Sequence, residues 1–83
     1  MRERRYFIPQ IIQIHYLRIR AGIISWRVVT DRGPRRFDVR DRDDLRFMPP
    51  RRMVIKDVDG NRFEIQDYME LDDRSLSLLE QLL

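Results

Sequence analysis

Residues 59–61, DGN, lie between two short runs of branched and aromatic residues, MVIKDV and RFEI. An Asp-Gly pair in that setting is a strong hairpin signal, because a type I′ turn needs positive φ at both central positions. The two flanking runs are therefore antiparallel neighbours, and any fold for the chain must contain that pair. The other two glycines mark further reversals. RAG at 20–22 is a turn, and DRG at 31–33, with Pro34 behind it, is a tight reversal. Gly33 can take the positive φ that a three- to four-residue hairpin loop requires.

The segments between these turns read as strands. QIIQIHYLRIR at 10–20 alternates loosely: Ile12, Ile14 and Tyr16 form one face, and Gln13 and His15 the other. Leu17 and Ile19 then fall on the wrong face, which calls for a bulge or a strand buried on both sides. In IISWRVVT, residues 23–30, Trp26, Val28 and Thr30 share a face. RRFDVR at 35–40 has a clean period of two, with Phe37 and Val39 inward and Arg36, Asp38 and Arg40 outward. In DRDDLRFM, Asp41 or Asp43 caps a single helical turn, and Leu45 with Phe47 or Met48 tucks it onto the core. PPRR at 49–52 is a stiff connector. LDDRSLSLLEQLL at 71–83 reads as a helix capped by Asp72 or Asp73, with Leu76, Leu79 and Leu83 as its apolar stripe. The expected fold is α+β, an antiparallel meander of about five strands with one C-terminal helix. It forms one small domain over 1–83, with residues 1–5 a flexible basic arm.

A domain of 83 residues has a thin stability margin. Its 42% hydrophobic content suffices for a core and argues against intrinsic disorder. There is no cysteine, so no disulfide can staple it, and the simplest location is cytoplasmic. No apolar run approaches the ~18–20 residues needed to span a bilayer. The N-terminus also lacks the apolar stretch and cleavage site of a signal peptide.

The formal charge of +3 is unevenly spread. Arg2, Arg4, Arg5, Arg18 and Arg20 face only Glu3 in the first twenty residues. Residues 64–83 oppose Glu64, Asp67, Glu70, Asp72, Asp73 and Glu80 to Arg74 alone. Nearly all the basic residues are arginine, the side chain suited to bidentate pairing with carboxylate or phosphate. The stretch TDRGPRRFDVRDRDD holds five Arg and five Asp, so its outward charges are expected to pair across neighbouring strands.

Motifs that carry chemistry are sparse. His15 is the sole histidine, which excludes a two-histidine metal cluster or dyad. DVDGN resembles the start of a calcium loop, but the position that should close such a loop with Glu is Tyr68. No enzyme activity, cofactor or metal is expected. Arg2, Arg4, Arg5 and Tyr6, with Arg51 and Arg52, supply the cations and aromatic ring of a nucleic-acid contact, opposed by the acidic C-terminal segment. Trp26 could anchor an interface or fill the core. Leu78 and Leu82 lie off the helix stripe and could meet a partner or a second copy.

RRYFIPQI, SWRVVTDRGPRRFDVRDRDDLR, VIKDVDGNRFEI and LDDRSLSLLEQLL resemble an uncharacterised bacterial domain family. That family occurs at the C-terminus of some ABC transporter proteins, and as stand-alone proteins associated with cyanophycin metabolism. Its members carry a further N-terminal segment, so the resemblance implies that this part of the family domain is missing here. It also implies an accessory role near transport and supplies no catalytic motif.

The expected function is a non-enzymatic accessory or interaction domain associated with an ABC transporter system. Its partner would be a protein, either a transporter's cytosolic domain or a second copy in a homodimer, with no membrane insertion. The candidate contacts are Trp26, Arg36, Asp38, Arg40, Leu78 and Leu82. The alternative is a nucleic-acid-binding module built on the N-terminal arginines. A small-ligand sensor is suggested by family context alone.

Overall fold

The computed structural model describes residues 8–82. Six strands form two antiparallel three-stranded sheets. The first contains β1 (Ile11–Arg20), β2 (Ile23–Thr30) and β3 (Gly33–Val39). The second contains β4 (Leu45–Met48), β5 (Arg52–Lys56) and β6 (Arg62–Ile65). Among the described residues one α-helix, α1 (Asp73–Leu79), follows and ends in a 3₁₀ turn, Glu80–Leu82. The expected five-strand meander thus becomes six strands in two sheets, with the C-terminal helix in place. The break comes at the 3₁₀ turn Arg42–Asp44. Asp41 caps it by accepting from the Asp43 N–H, as the sequence suggests. The chain then leaves the first sheet and starts β4, the strand that the aspartate-rich run concealed. Leu45 is buried, but Phe47 and Met48 stay exposed on this edge strand.

The turns set the register. Ala21 and Gly22 both have positive φ, 51° and 81°, so the two-residue type I′ turn is here, between Arg20 and Ile23. The DVDGN reversal is a hairpin of another kind. Its loop runs from Asp57 to Asn61 around the Asp57 carboxylate. That carboxylate accepts the backbone N–H groups of Asp59 and Asn61 and the Asn61 side-chain amide. Gly60, φ 86°, donates its N–H to the Asp57 carbonyl. Gly33 takes the expected positive φ, 101°, directly opposite Thr30.

β1 departs most from a simple alternation. Two register shifts, between Ile11 and Gln13 and between Ile14 and Tyr16, each insert an extra residue. Ile11, Ile14 and Leu17 therefore point inward at three-residue spacing, Ile12 is 56% exposed, and Tyr16 turns to the outer face. The bulges resolve the misplacement of Leu17.

Both sheets and α1 bury one core. Trp26 is fully buried and stacks on Phe37 (centroids 5.5 Å apart), which stacks on Phe63 of the second sheet (4.1 Å). Met53, Ile55, Ile65, Leu71 and Leu79 complete the interior. Leu82 is buried as well, which removes it from the candidate contacts. The final 3₁₀ turn places residues three apart in line, so Leu82 follows Leu79 into the core. Leu78 is only partly buried, packed against the core margin.

α1 also closes the outer edge of β1. The Ser75 hydroxyl accepts the Ile14 N–H (2.8 Å), and its proton is shared between the Ile14 carbonyl (3.2 Å) and the Asp72 carboxylate (2.5 Å). Asp72 is the N-cap and accepts the Ser75 N–H. The Ser75 hydroxyl, helped by backbone N–H groups and opposed by desolvation, holds the Asp72 carboxyl below its ordinary value of 3.8. A carboxyl depressed on folding contributes stability above its unfolded pKa, and that contribution is lost as pH falls through the folded value. The thermal midpoint, followed by circular dichroism, is therefore expected to fall more steeply below pH 3.8 in the native chain than in Asp72→Asn.

Candidate functional site

The outward face of the first sheet carries a row of exposed arginines. Register places Tyr16 opposite Arg27 and Arg27 opposite Arg36, so one row crosses all three strands. The next row runs Arg18, Ser25, Asp38, and Arg20 follows opposite Ile23. Arg18, Arg20, Arg27 and Arg36 are all exposed, against Asp38 as the acid on these rows. Arg36, Asp38 and Arg40 are exposed, as their alternation predicts. The expected cross-strand pairing of their charges does not form among the described residues. Like charges directly opposite one another are destabilising in a sheet. Yet no carboxylate among the described residues forms an ion pair with Arg27 or Arg36. Arg27 instead lies over the Tyr16 ring, 5.1 Å from its centroid, in a cation–π contact that holds its guanidinium on this face.

A shallow groove of about 470 Å³ adjoins the row, lined by Arg27, Arg35, Arg36, His15, Val28, Val29 and Pro34. No acidic residue lines it, and its apolar part is contributed by Val28, Val29 and Pro34. An arginine-lined rim around an apolar floor suits a ligand surface that is both anionic and partly apolar.

The other candidates fall differently. Trp26, fully buried between the sheets, offers no side-chain surface to a partner. Arg2, Arg4, Arg5 and Tyr6 lie outside the described residues. Arg51 and Arg52, the remaining nucleic-acid candidates, are both engaged internally. Arg51 pairs with Asp67 at 3.1 Å, and Arg52 binds the buried carboxylate of Glu64. The Asp57 carboxylate, the first acid of the calcium-like motif, is taken up by its own hairpin.

The family described as Domain of unknown function (DUF1854) matches residues 2–82. The chain belongs to the DUF1854 family. No curated protein and no solved structure matches it. The match takes in both sheets and α1, so the arginine face is part of the DUF1854 domain. Among the described residues, no helix of this DUF1854 chain is long and apolar enough to cross a membrane.

Tyr16, Arg18, Arg27 and Arg35 are not among the contacts expected from the sequence, although alternation already sets Arg27 on the face opposite Trp26. A signal for one of them was available. Once Gly33 is set opposite Thr30, counting back along β2 and forward along β3 brings Arg27 against Arg36. Tyr16 joins them only through the bulges in β1.

Proposed function

We propose that this domain is a non-enzymatic interaction module that holds an acidic protein partner against the arginine face of its first sheet. The observation that carries this reading is the Arg27–Arg36 cross-strand pair, like charges left without a carboxylate partner among the described residues. An incoming anionic surface would relieve that repulsion and form charge-assisted hydrogen bonds. Tyrosine and arginine are also the residue types that dominate binding at protein interfaces. The resemblance to domains found at the C-terminus of ABC transporter proteins supports an accessory role there, with the acidic partner on the transporter's cytosolic side.

Titration calorimetry with poly-L-glutamate provides the test. Binding at low salt should weaken as salt is raised. It should fall at least about tenfold in Arg27→Gln/Arg36→Gln, since a hydrogen bond to a charged group contributes about 1.5–3 kcal/mol. Equal binding by the native chain and the double variant would sink the reading.

A second reading has one observation in its favour. The guanidinium stacked on Tyr16 is a surface on which a nucleobase could also stack. A salt-dependent gel shift with single-stranded DNA and RNA separates the two, and no shift even at low salt removes the nucleic-acid reading.

A further inference from the structure

The groove beside the arginine row has a counterpart on the same chain. The 3₁₀ turn Tyr68–Glu70, its cap Asp67 and the start of α1 form the segment DYMELDD, residues 67–73. Within it, Asp67 is paired with Arg51 and Asp72 caps α1, whereas Glu70 and Asp73 are exposed and enter no ion pair among the described residues. Met69, the middle residue of the turn, is 57% exposed, the largest value among the exposed large hydrophobic residues of the described chain. This segment thus offers an exposed apolar side chain together with two carboxylates, Glu70 and Asp73, that no ion pair among the described residues engages. The groove presents an apolar floor of Val29 and Pro34 rimmed by Arg27, Arg35, Arg36 and His15.

Charge and polarity match at both levels. Methionine is unbranched and adaptable, so it can fill a shallow, irregular depression. Each exposed feature is unfavourable alone: Met69 leaves apolar surface in water, and Arg27 faces Arg36 across the sheet. Joining two copies relieves both.

We infer that the groove of one copy receives the acidic turn of a second copy of this chain. Met69 lies over Val29 and Pro34, and Glu70 and Asp73 meet the rim arginines. This rests on the reading of the arginine face as an acid-binding surface, and adds that the chain itself supplies one acidic partner. Two such contacts related by a two-fold axis close a dimer, whereas a head-to-tail arrangement extends into a chain of copies.

Sedimentation across a concentration series at low and moderate salt tests this on the whole chain. The mass should rise above the 10.3 kDa monomer with concentration at low salt and return towards it as salt is added. Arg36→Glu and Glu70→Arg should each weaken association at least about tenfold, as expected when an interfacial charge pair is reversed. Mixing the two variants should restore it, because each retains the surface that the other has lost. Met69→Ser should weaken association without changing its salt dependence. All three residues are exposed, and an unchanged circular dichroism melt confirms the fold. A strict monomer at every concentration overturns the inference, as does self-association that none of these substitutions alters. A monomer that still binds poly-L-glutamate through Arg27 and Arg36 leaves the acid-binding reading standing. A monomer that binds none removes both.

Discussion

Trp26→Ala is expected to cost about 3–5 kcal/mol, the range for removing a large aromatic side chain from a close-packed core. Trp26 is fully buried and forms one end of the Trp26–Phe37–Phe63 stack that ties β2 and β3 to β6. Its loss opens a cavity at the junction of the sheets and removes aromatic contact worth about 0.5–1.5 kcal/mol beyond the area buried. A domain of this size has a stability near the lower end of the usual range of about 5–15 kcal/mol. The variant should therefore be largely unfolded at body temperature. Trp26→Phe is the informative control. The indole N–H has no hydrogen-bond partner among the described residues. Phenylalanine removes that unsatisfied donor while retaining a ring for the stack, and the lost volume is partly offset. Its cost should be about 1–2 kcal/mol. Urea unfolding followed by far-ultraviolet circular dichroism measures both, since Trp26 is the sole tryptophan and its fluorescence disappears with it.

Sequence patterns reveal the parts of this fold in which local and global preferences agree. β3 is fully legible, because Phe37 and Val39 alternate with charged residues and nothing interrupts them. The inward set Trp26, Val28 and Thr30 of β2 is legible for the same reason. β1 is not, because period-two reasoning fails wherever a bulge adds a residue, and two bulges in ten residues displace the apolar face twice. The two-sheet division was hidden by β4. LRFM follows an aspartate-capped turn and buries only Leu45, so it lacks a strand's alternation. The arginine face needs both register and side-chain direction. Hairpin geometry provides the first, but the absence of carboxylate partners at Arg27 and Arg36 depends on where Asp31, Asp41, Asp43 and Asp44 point once the chain turns away. Composition suggested the opposite, since equal numbers of Arg and Asp invite pairing.

Glu64 shows a related limit of pattern reasoning and leads to the second large effect. By alternation it lies between the inward Phe63 and Ile65 and should face solvent, yet it is only 1% exposed. The segment before β1 runs alongside β6. The Pro9 carbonyl accepts the Glu64 N–H, and Gln10 forms an isolated parallel bridge with Glu64. The carboxylate is covered as a result. One oxygen accepts the Gln10 side-chain amide at 2.8 Å, and the other is bound by the Arg52 guanidinium. Arg52 remains 35% exposed, so the two partners are not equivalent. Arg52→Ala strands a buried charge and is expected to cost about 2–4 kcal/mol, somewhat below the usual figure for breaking a fully buried pair. Glu64→Gln leaves a neutral group still able to bond Gln10, and it frees a guanidinium that can turn to water, so its cost should be about 1 kcal/mol. Adding Glu64→Gln to Arg52→Ala should then recover stability, because the stranded charge is gone. Urea unfolding of the two single variants and the double variant forms a double-mutant cycle that measures this coupling. If Glu64→Gln proved as costly as Arg52→Ala, and the double variant worse than either, Glu64 would matter for its shape and hydrogen bonds and not as a buried charge that Arg52 neutralises.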